Sequence, residues 1–236
     1  MTDHWFESLA DHMGTAYLRY SFTKGTDQEV SALIDALDLQ RGMRILDVGC
    51  GPGRHAMALV ARGMVVHGVD ISRRFVDIAQ ANAVSGATFE RADARRLSFS
   101  NEFDAAISLC QGAFGLLGSD EENRAVLGGM ASSVKRGGRL AVSAFSAYFR
   151  LKYQNDTHFE ATSGVSHERT EVRNEMGQSA EVDLWTTCFT PRELRLLLAS
   201  VGLRVDDIWS VEPGAYFASV PTVESPEFLV LATKLD

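Results

Sequence analysis

Apolar positions along residues 43–145 fall into short runs that alternate with segments of helical spacing. Short apolar runs indicate buried strands, whereas apolar residues at i, i+3, i+4 and i+7 indicate amphipathic helices. This alternation is typical of a mostly parallel sheet that carries helices on both faces. It predicts helices at 53–62, 73–84 and 120–135, and strands at 43–48, 64–69, 87–91, 103–109 and 139–145.

The C-terminal part of the chain adds a hairpin, a helix and two more strands. Residues 165–173 and 180–189 read as antiparallel strands around a turn at 174–178. Thr190, Pro191 and Glu193 open a helix as N-cap, first-turn proline and N3 acid. With strands at 203–211 and 227–232, we predict an α/β fold: a doubly wound, mostly parallel seven-stranded sheet with an antiparallel hairpin inserted after the fifth strand.

A further amphipathic helix is predicted ahead of the first strand. Thr26 is interpreted as its N-cap and Glu29, three residues later, as the second member of a capping box. We interpret residues 1–236 as one domain. Its parts are an N-terminal lid at 1–25, a core at 26–145, an inserted cap or dimer contact at 146–189, and a C-terminal helix with the last two strands at 190–236.

Composition and charge narrow the class of protein. The net charge of −8 and the lack of a lysine or arginine cluster argue against nucleic acid as a partner. Three cysteines, widely spaced and odd in number, indicate a reducing compartment. The N-terminal residues lack a basic start and a long apolar run, so we expect no signal peptide, no membrane segment and a cytoplasmic location.

The stretch 45–56 carries the strongest chemical signal. An apolar strand ends in Asp47 and leads into Gly49, Gly51 and Gly53, after which a helix begins. Such a loop brings a ligand close to the backbone and to a helix N-terminus. Arg54 stands where a dinucleotide-binding loop needs its third glycine, so the loop favours a nucleotide-type ligand other than NAD.

Acidic residues follow the next two strands. Asp70, 21 residues after Gly49, is placed to accept hydrogen bonds from both hydroxyls of a ribose. Its alternative role is to stabilise the start of the next helix. Asp93 is placed to accept from an adenine amine, and its alternative role is that of a turn aspartate.

Five segments together resemble the class I S-adenosylmethionine-dependent methyltransferases. They are the sequences at 46–53, 68–72, 92–94, 103–104 and 135–140. The resemblance implies S-adenosyl-L-methionine as cofactor, S-adenosyl-L-homocysteine as product, and an N-terminal segment that folds over the cofactor. The expected cofactor-binding residues are Tyr20, Asp47, Gly49, Cys50, Gly51, Gly53, Asp70, Ile71, Asp93, Ala94 and Leu109.

Catalytic and acceptor-binding residues are less constrained by the sequence. Methyl transfer from a sulfonium requires that the nucleophile, the methyl group and the sulfur lie in line. Some acceptors also need a base that removes a proton. His158 and His167 are the candidate bases, with His167 on a polar strand face that either meets the substrate or faces solvent. Phe114, Tyr148 and Trp185 either wall an apolar acceptor pocket or belong to the core. No histidine or cysteine spacing indicates a metal.

We therefore expect an enzyme that methylates an oxygen or nitrogen atom of a small molecule, and that either works alone or pairs as a homodimer. Three alternatives stay open at this point. They are an NAD(P)-linked oxidoreductase, a nonenzymatic S-adenosylmethionine-binding protein, and a methyltransferase acting on protein or RNA.

Overall fold

A computed structural model of the chain describes residues 4–110, 112–116, 118–153 and 158–235. These residues form ten β-strands: β1 (Arg44–Val48), β2 (Val65–Asp70), β3 (Ala87–Arg91), β4 (Phe103–Ser108), β5 (Val134–Ser146), β6 (His158–Glu160), β7 (Val165–Arg173), β8 (Ser179–Phe189), β9 (Leu203–Val211) and β10 (Glu227–Lys234).

The α-helices of the described residues are α1 (Trp5–Met13), α2 (Thr26–Ala36), α3 (Arg54–Ala61), α4 (Arg73–Ala81), α5 (Asp120–Ser133), α6 (Ala147–Tyr153) and α7 (Pro191–Ala199). Short 3-10 helices lie at Gly14–Arg19, Ser21–Thr23 and Ala94–Arg96. Among the described helices, none combines the length and apolar character needed to cross a membrane.

The central sheet has the predicted α/β architecture. Strands β3, β2, β1, β4 and β5 lie side by side and run parallel, while β10 pairs antiparallel with β5 and β9 pairs antiparallel with β10. Because β1 pairs with both β2 and β4, the winding direction changes at β1. In open α/β sheets the ligand crevice lies at such a switch point, beyond the carboxyl ends of the strands.

Two apolar clusters cover the two faces of the sheet. Successive side chains of a strand point to opposite faces, so Ile45 joins one cluster and Leu46 joins the other. Both side chains are fully buried, and burial of each contributes about 1.5–3 kcal/mol relative to exposure. These clusters fix the carboxyl edge of β1 in place.

The hairpin of β7 and β8 leaves the sheet where β5 ends. Phe145 and Ser146 pair with Cys188 and Phe189 of β8, and β7 then pairs along β8. Helix α1 packs between α4 and β7, where Leu9, Met13 and Val172 form a separate buried cluster. The N-terminal helix and the hairpin thus meet above the carboxyl edge of the sheet.

Several predicted helix boundaries differ from the structure. Gly25, rather than Thr26, is the N-cap of α2, and the Thr26 hydroxyl donates instead to the Thr23 carbonyl at 2.9 Å. The Glu29 carboxylate, expected in a capping box, is fully buried and paired elsewhere. Helix α5 ends at Ser133, two residues before the predicted end, and β5 begins at Val134.

Candidate active site

The loop between β1 and α3 has a backbone that requires glycine. Gly49, Gly51 and Gly53 have φ values of +73°, +54° and +85°, a region that side chains with a Cβ rarely adopt. A Cβ on Gly49 would also lie 2.0 Å from the carbonyl carbon of Gly112. The loop after β4 therefore touches the glycine loop, backbone to backbone.

Asp70 connects the end of β2 to this loop. Its Oδ2 accepts from the Gly51 amide and its Oδ1 accepts from the Ser72 amide, both at 2.8 Å. Burial raises the pKa of Asp70 to about 6, although the amides of Ser72 and Gly51 oppose that shift. The carboxylate thus stabilises the start of α4, its alternative role, and also borders the cavities where a ribose is expected.

Asp47 is a buried acid at the end of β1. It is 1% exposed, and its Oδ2 has no hydrogen-bond partner among the described residues. Burial raises its pKa to about 7, with Arg54 opposing the shift and Asp70 adding to it. A buried carboxyl oxygen without a partner is costly, and an amine donor brought by a ligand would satisfy it.

A narrow cleft lies beside Asp70, between β2, β3 and the loop after β4. It has a volume of about 30 Å³ and is bordered by Ile71, Asp93 and Ala94, with Phe6 of α1 above it. The Asp93 side chain pairs with Arg95, whose Nε lies 2.9 Å from Oδ1. This hydrogen bond from Arg95 lowers the pKa of Asp93, so the carboxylate stays ionised at neutral pH.

The main cavity, of about 400 Å³, adjoins this cleft. Phe6, Gly49 and Asp70 border both spaces. Its aromatic walls are Trp5, Phe6, Tyr17, Tyr20, Phe22, Phe75 and Phe145, and its carboxylates are Asp70, Glu168, Glu171 and Glu227. Among the described residues that line it, none is lysine, arginine or histidine.

The structure divides the residues expected to bind the cofactor into two groups. Those that border one or both spaces are Tyr20, Gly49, Gly51, Asp70, Ile71, Asp93 and Ala94. Asp47, Cys50, Gly53 and Leu109 border neither space, and their contact with a cofactor stays a prediction. Cys50 and Leu109 are buried in the core, and a Cβ on Gly53 would lie 2.9 Å from the Phe89 ring.

The two candidate bases are not among the residues that line the main cavity, so their assignment stays a prediction without a supporting contact. His158 and His167 face each other across β6 and β7. His167 pairs with Asp183 at 2.7 Å and stacks on Trp185 at 4.9 Å. Strand residues alternate between faces, and Glu168, Thr170 and Val172 of one β7 face line the cavity, together with Glu171 of the other face.

The expected substrate-binding residues also lie elsewhere. Phe114 is fully buried and stacks on Phe189, so it belongs to the core. Tyr148 is 41% exposed and borders a separate surface groove. Trp185 packs against Trp5 and His167 on the outer side of the hairpin. Trp5 and Phe6 line the main cavity and belong to the predicted N-terminal lid, but the sequence did not single them out as site residues.

A second buried polar cluster lies behind the glycine loop. Arg54 Nη1 and His55 Nε2 lie 2.7 and 2.8 Å from Glu29 Oε2, and Arg54 Nη2 lies 2.8 Å from Cys110 Sγ. Burial alone would raise the pKa of Glu29, but the His55 hydrogen bond and the Arg54 charge outweigh it and lower the pKa to about 2. Glu29 Oε1 accepts from the Gly214 amide at 2.8 Å.

This cluster also contains a set of metal-ligand atoms. One ligand atom each of Glu29, His55 and Cys110 lies within 4.8 Å of the others. The guanidinium of Arg54 already supplies a positive charge to Glu29 and contacts the sulfur, so a cation would meet repulsion there. The arrangement supports a structural role, in which α2 is tied to the start of α3.

Comparison with known proteins places this geometry in a family. The methyltransferase domain family matches residues 45–138. The chain is 34% identical over 211 residues to the cypemycin N-terminal methyltransferase of a Streptomyces species, covering 80% of this chain and 82% of that relative. Shorter matches at 33% and 30% identity, to a methyltransferase of Geobacillus sp. (strain WCH70) and to methyltransferase GfsG of Streptomyces halstedii, span 45% and 41% of those relatives.

Solved structures share the fold over the whole chain. The CcbJ methyltransferase from Streptomyces caelestis superposes with a TM-score of 0.78 at 18% identity, covering 99% of both chains. The structure of CalS10, an amino pentose methyltransferase from Micromonospora echinaspora bound to S-adenosylmethionine, gives a TM-score of 0.65 at 19% identity, covering 99% of this chain and 98% of that one. With the glycine loop, the acid that follows β2 and the relative matched over most of its length, this chain belongs to the class I S-adenosylmethionine-dependent methyltransferases.

Proposed function

We propose that this protein transfers the methyl group of S-adenosyl-L-methionine to an oxygen or nitrogen atom of a small molecule. The observation that carries the proposal is the main cavity, which opens beside Asp70 and the glycine loop and is covered by α1 and β7. A walled cavity of about 400 Å³ suits a small acceptor better than a folded macromolecule.

The residues around the two spaces fit the cofactor. Asp70 would accept from the ribose hydroxyls, and Asp93 with Ala94 would border the adenine. The unpartnered Oδ2 of Asp47 would accept from the amino group of the cofactor. Bound there, S-adenosyl-L-methionine supplies a methyl group that is already activated by its sulfonium.

The protein's own contribution is to align the acceptor and to exclude water. Aromatic rings from α1 and from the 3-10 helices cover the cavity, and β7 closes its far side. Confinement of both partners lowers the entropic cost of reaching the reactive geometry.

The comparisons support a small acceptor, but they do not identify the atom that receives the methyl group. The names of two relatives refer to an amine, namely the N-terminus of cypemycin and an amino pentose. Ubiquinone biosynthesis O-methyltransferase of Paracidovorax citrulli is 40% identical, but over only 55 residues, or 23% of both chains. A nucleic-acid acceptor is disfavoured by the net charge of −8 and by the carboxylates of the cavity.

Calorimetry with S-adenosyl-L-homocysteine and NADH, titrated separately into the purified protein, tests the cofactor. We expect micromolar binding of S-adenosyl-L-homocysteine and no binding of NADH. Binding of NADH alone would overturn the proposal in favour of an oxidoreductase. Mass-spectrometric detection of a methylated acceptor then separates an enzyme from a nonenzymatic cofactor-binding protein.

A further inference from the structure

The walls of the main cavity are unfavourable for anions. Four carboxylates and seven aromatic rings line it, and the described lining residues include no basic side chain. Carboxylates repel an anion directly, and aromatic faces carry negative electrostatic potential. Hydroxyl and amine groups, in contrast, both donate hydrogen bonds to carboxylates. The lining therefore separates acceptors that carry an anionic group from acceptors that do not.

Several of the aromatic rings form one connected group. The ring centroid of Tyr17 lies 4.9 Å from that of Phe75 and 5.2 Å from that of Phe22. The ring centroids of Phe6 and Phe75 are 5.9 Å apart. These rings belong to α1, to the two 3-10 helices that follow it and to α4. An acceptor with a ring or a hydrocarbon body would pack against this side of the cavity.

Two guanidinium groups lie behind the cavity wall. The side chains of Arg54 and Arg150 are 9% and 8% exposed, and neither residue lines the cavity. Arg54 contacts the sulfur of Cys110, which does line it. The charge partner of Arg54 is Glu29, which is fully buried and does not line the cavity either. Both charges of that pair are therefore hidden from an acceptor.

The pair of Arg150 and Glu168 is arranged differently. Arg150 Nη1 lies 3.1 Å from Glu168 Oε2, and the guanidinium lies 5.4 Å from the ring centroid of Phe145. Glu168 and Phe145 both line the cavity, whereas Arg150 does not. The side chain of Glu168 is 37% exposed. This pair thus presents its negative member to the cavity and keeps its positive member behind the wall.

We infer that the methyl acceptor carries a hydroxyl or an amine on a ring or hydrocarbon body and no anionic group, and that Glu168 enforces this choice by covering the charge of Arg150. This inference rests on the proposed function; it names the substrate class and one specificity-determining residue. Without the carboxylate of Glu168, the guanidinium of Arg150 would attract an anion in the cavity, because water and salt screen a buried charge less than an exposed one.

Two probes of nearly the same shape test the substrate class: naphthalenemethanol, which is neutral, and naphthoate, which is an anion substituted at the same ring position. Each is titrated by calorimetry at neutral pH into the full chain saturated with S-adenosyl-L-homocysteine. We expect the wild-type protein to bind naphthalenemethanol at least about tenfold more tightly than naphthoate. Equal binding of the two probes, preferred binding of naphthoate, or no binding of either would each overturn the inference.

The same titration with Glu168→Gln tests the role of Glu168. We expect this variant to bind naphthoate at least about tenfold more tightly than the wild type does, and to bind naphthalenemethanol within about twofold of the wild type. Glu181→Gln, which removes the same charge from an exposed position of the hairpin, is the matched control and should bind naphthoate as weakly as the wild type. An unchanged affinity of Glu168→Gln for naphthoate would show that Glu168 does not set the choice.

A double variant separates the exposed charge of Arg150 from the mere loss of a carboxylate. Arg150→Gln combined with Glu168→Gln removes both charges, so the gain in naphthoate binding should disappear. A gain that persists in the double variant would contradict the role of Arg150. Loss of its partner leaves the buried Arg150 unpaired and destabilises the fold. If Glu168→Gln does not fold, Glu168→Thr repeats the test, because threonine is favoured in strands.

Failure of the inference and failure of the proposed function give different results. If S-adenosyl-L-homocysteine does not bind the wild-type protein, the proposed function fails before any probe is added. If it binds and naphthalenemethanol is not preferred over naphthoate, only the assigned substrate class fails. The comparison of the two probes on the wild-type protein decides the substrate class independently of every variant.

Discussion

The Asp70 carboxylate accepts a 2.8 Å hydrogen bond from the Gly51 amide, which ties the end of β2 to the glycine loop. One side chain therefore shapes the loop and presents the acid that we assign to the ribose. The loop and the acid were predicted separately from the sequence, and the structure joins them in one contact.

Asp70→Ala should weaken the binding of S-adenosyl-L-homocysteine by about 1–3 kcal/mol, because the ribose hydroxyls lose their acceptor and the Gly51 amide is left unpaired. Calorimetry measures this directly. Asp77→Ala, at an exposed position of α4, is the control and should leave the affinity unchanged. An unchanged affinity of Asp70→Ala would show that the ribose assignment is wrong.

Because the pKa of Asp47 is raised, its ionisation should lower the stability of the protein as the pH rises. A carboxyl with a pKa of about 7 in the folded protein and 3.8 when unfolded stabilises the fold below pH 3.8. That contribution is lost as the pH rises through about 7. The wild-type protein should therefore lose stability relative to Asp47→Asn over this range.

Thermal melting of both proteins at about pH 5 and about pH 8, without cofactor, tests this expectation. The advantage of Asp47→Asn should be larger at the higher pH. Asp35→Asn, at an exposed position of α2, controls for the general effect of removing a charge. A constant difference at the two pH values would contradict the burial of an unpartnered Asp47.

Gly49→Ala and Gly42→Ala separate the cost of backbone strain from the cost of a clash. Both glycines have positive φ, +73° and +86°, but a Cβ on Gly42 meets nothing within 4 Å whereas one on Gly49 meets Gly112 at 2.0 Å. Gly42→Ala should cost about 1 kcal/mol of unfolding free energy and keep cofactor binding. Gly49→Ala should cost more and abolish binding of S-adenosyl-L-homocysteine, as urea unfolding and calorimetry would show.

Glu29→Gln should destabilise the protein by about 3–5 kcal/mol, because the buried Arg54 loses its charge partner. The loss should shrink in acid. A pKa lowered from 4.5 to about 2 stabilises the fold above pH 4.5, and that contribution disappears as the pH falls toward 2. Urea unfolding of both proteins at neutral pH and in acid measures the difference.

Asp27→Asn is the matched control for Glu29→Gln. Asp27 also pairs with an arginine, Arg62, but its side chain is 90% exposed. Exposed pairs contribute about 0–1 kcal/mol, so this variant should unfold close to the wild type. Equal losses in the two variants would show that the Glu29 cluster is not buried in the way described.

His167→Ala should leave turnover unchanged once an acceptor is known, since His167 points away from the cavity and pairs with Asp183. Steady-state kinetics would measure kcat and KM for the variant and the wild type. A large fall in kcat, with unchanged affinity for S-adenosyl-L-homocysteine, would support the base role that the sequence suggested.

Local sequence patterns predicted the strands of the central sheet well, but they predicted few of the residues that line the cavity. Strand β1 is an apolar run that ends at the glycine loop, and Thr190 with Glu193 caps α7 as predicted. Along β7, in contrast, both faces are polar, so alternation alone did not say which face turns inward. That choice is made by α1, which packs on Val172 from far away in the sequence.

Glu29 and Glu227 illustrate the same limit. The spacing of Thr26 and Glu29 satisfies a local capping rule, but a buried arginine and histidine compete for the carboxylate and prevail. Glu227 begins an apolar strand, and its place on the cavity floor depends on the antiparallel pairing of β10 with β5. Neither partner is near in the sequence, so no local pattern reveals the contact.

Glu175, at the tip of the hairpin, contacts both the segment after α1 and helix α4. Glu175 Oε1 accepts from the Thr15 amide at 2.6 Å and from Arg74 at 2.9 Å, which links the segment after α1 to α4 and to the hairpin. Since Phe6 of α1 borders the cleft and the main cavity alike, lifting α1 uncovers both together. We therefore expect cofactor exchange and acceptor entry to depend on the same movement of α1.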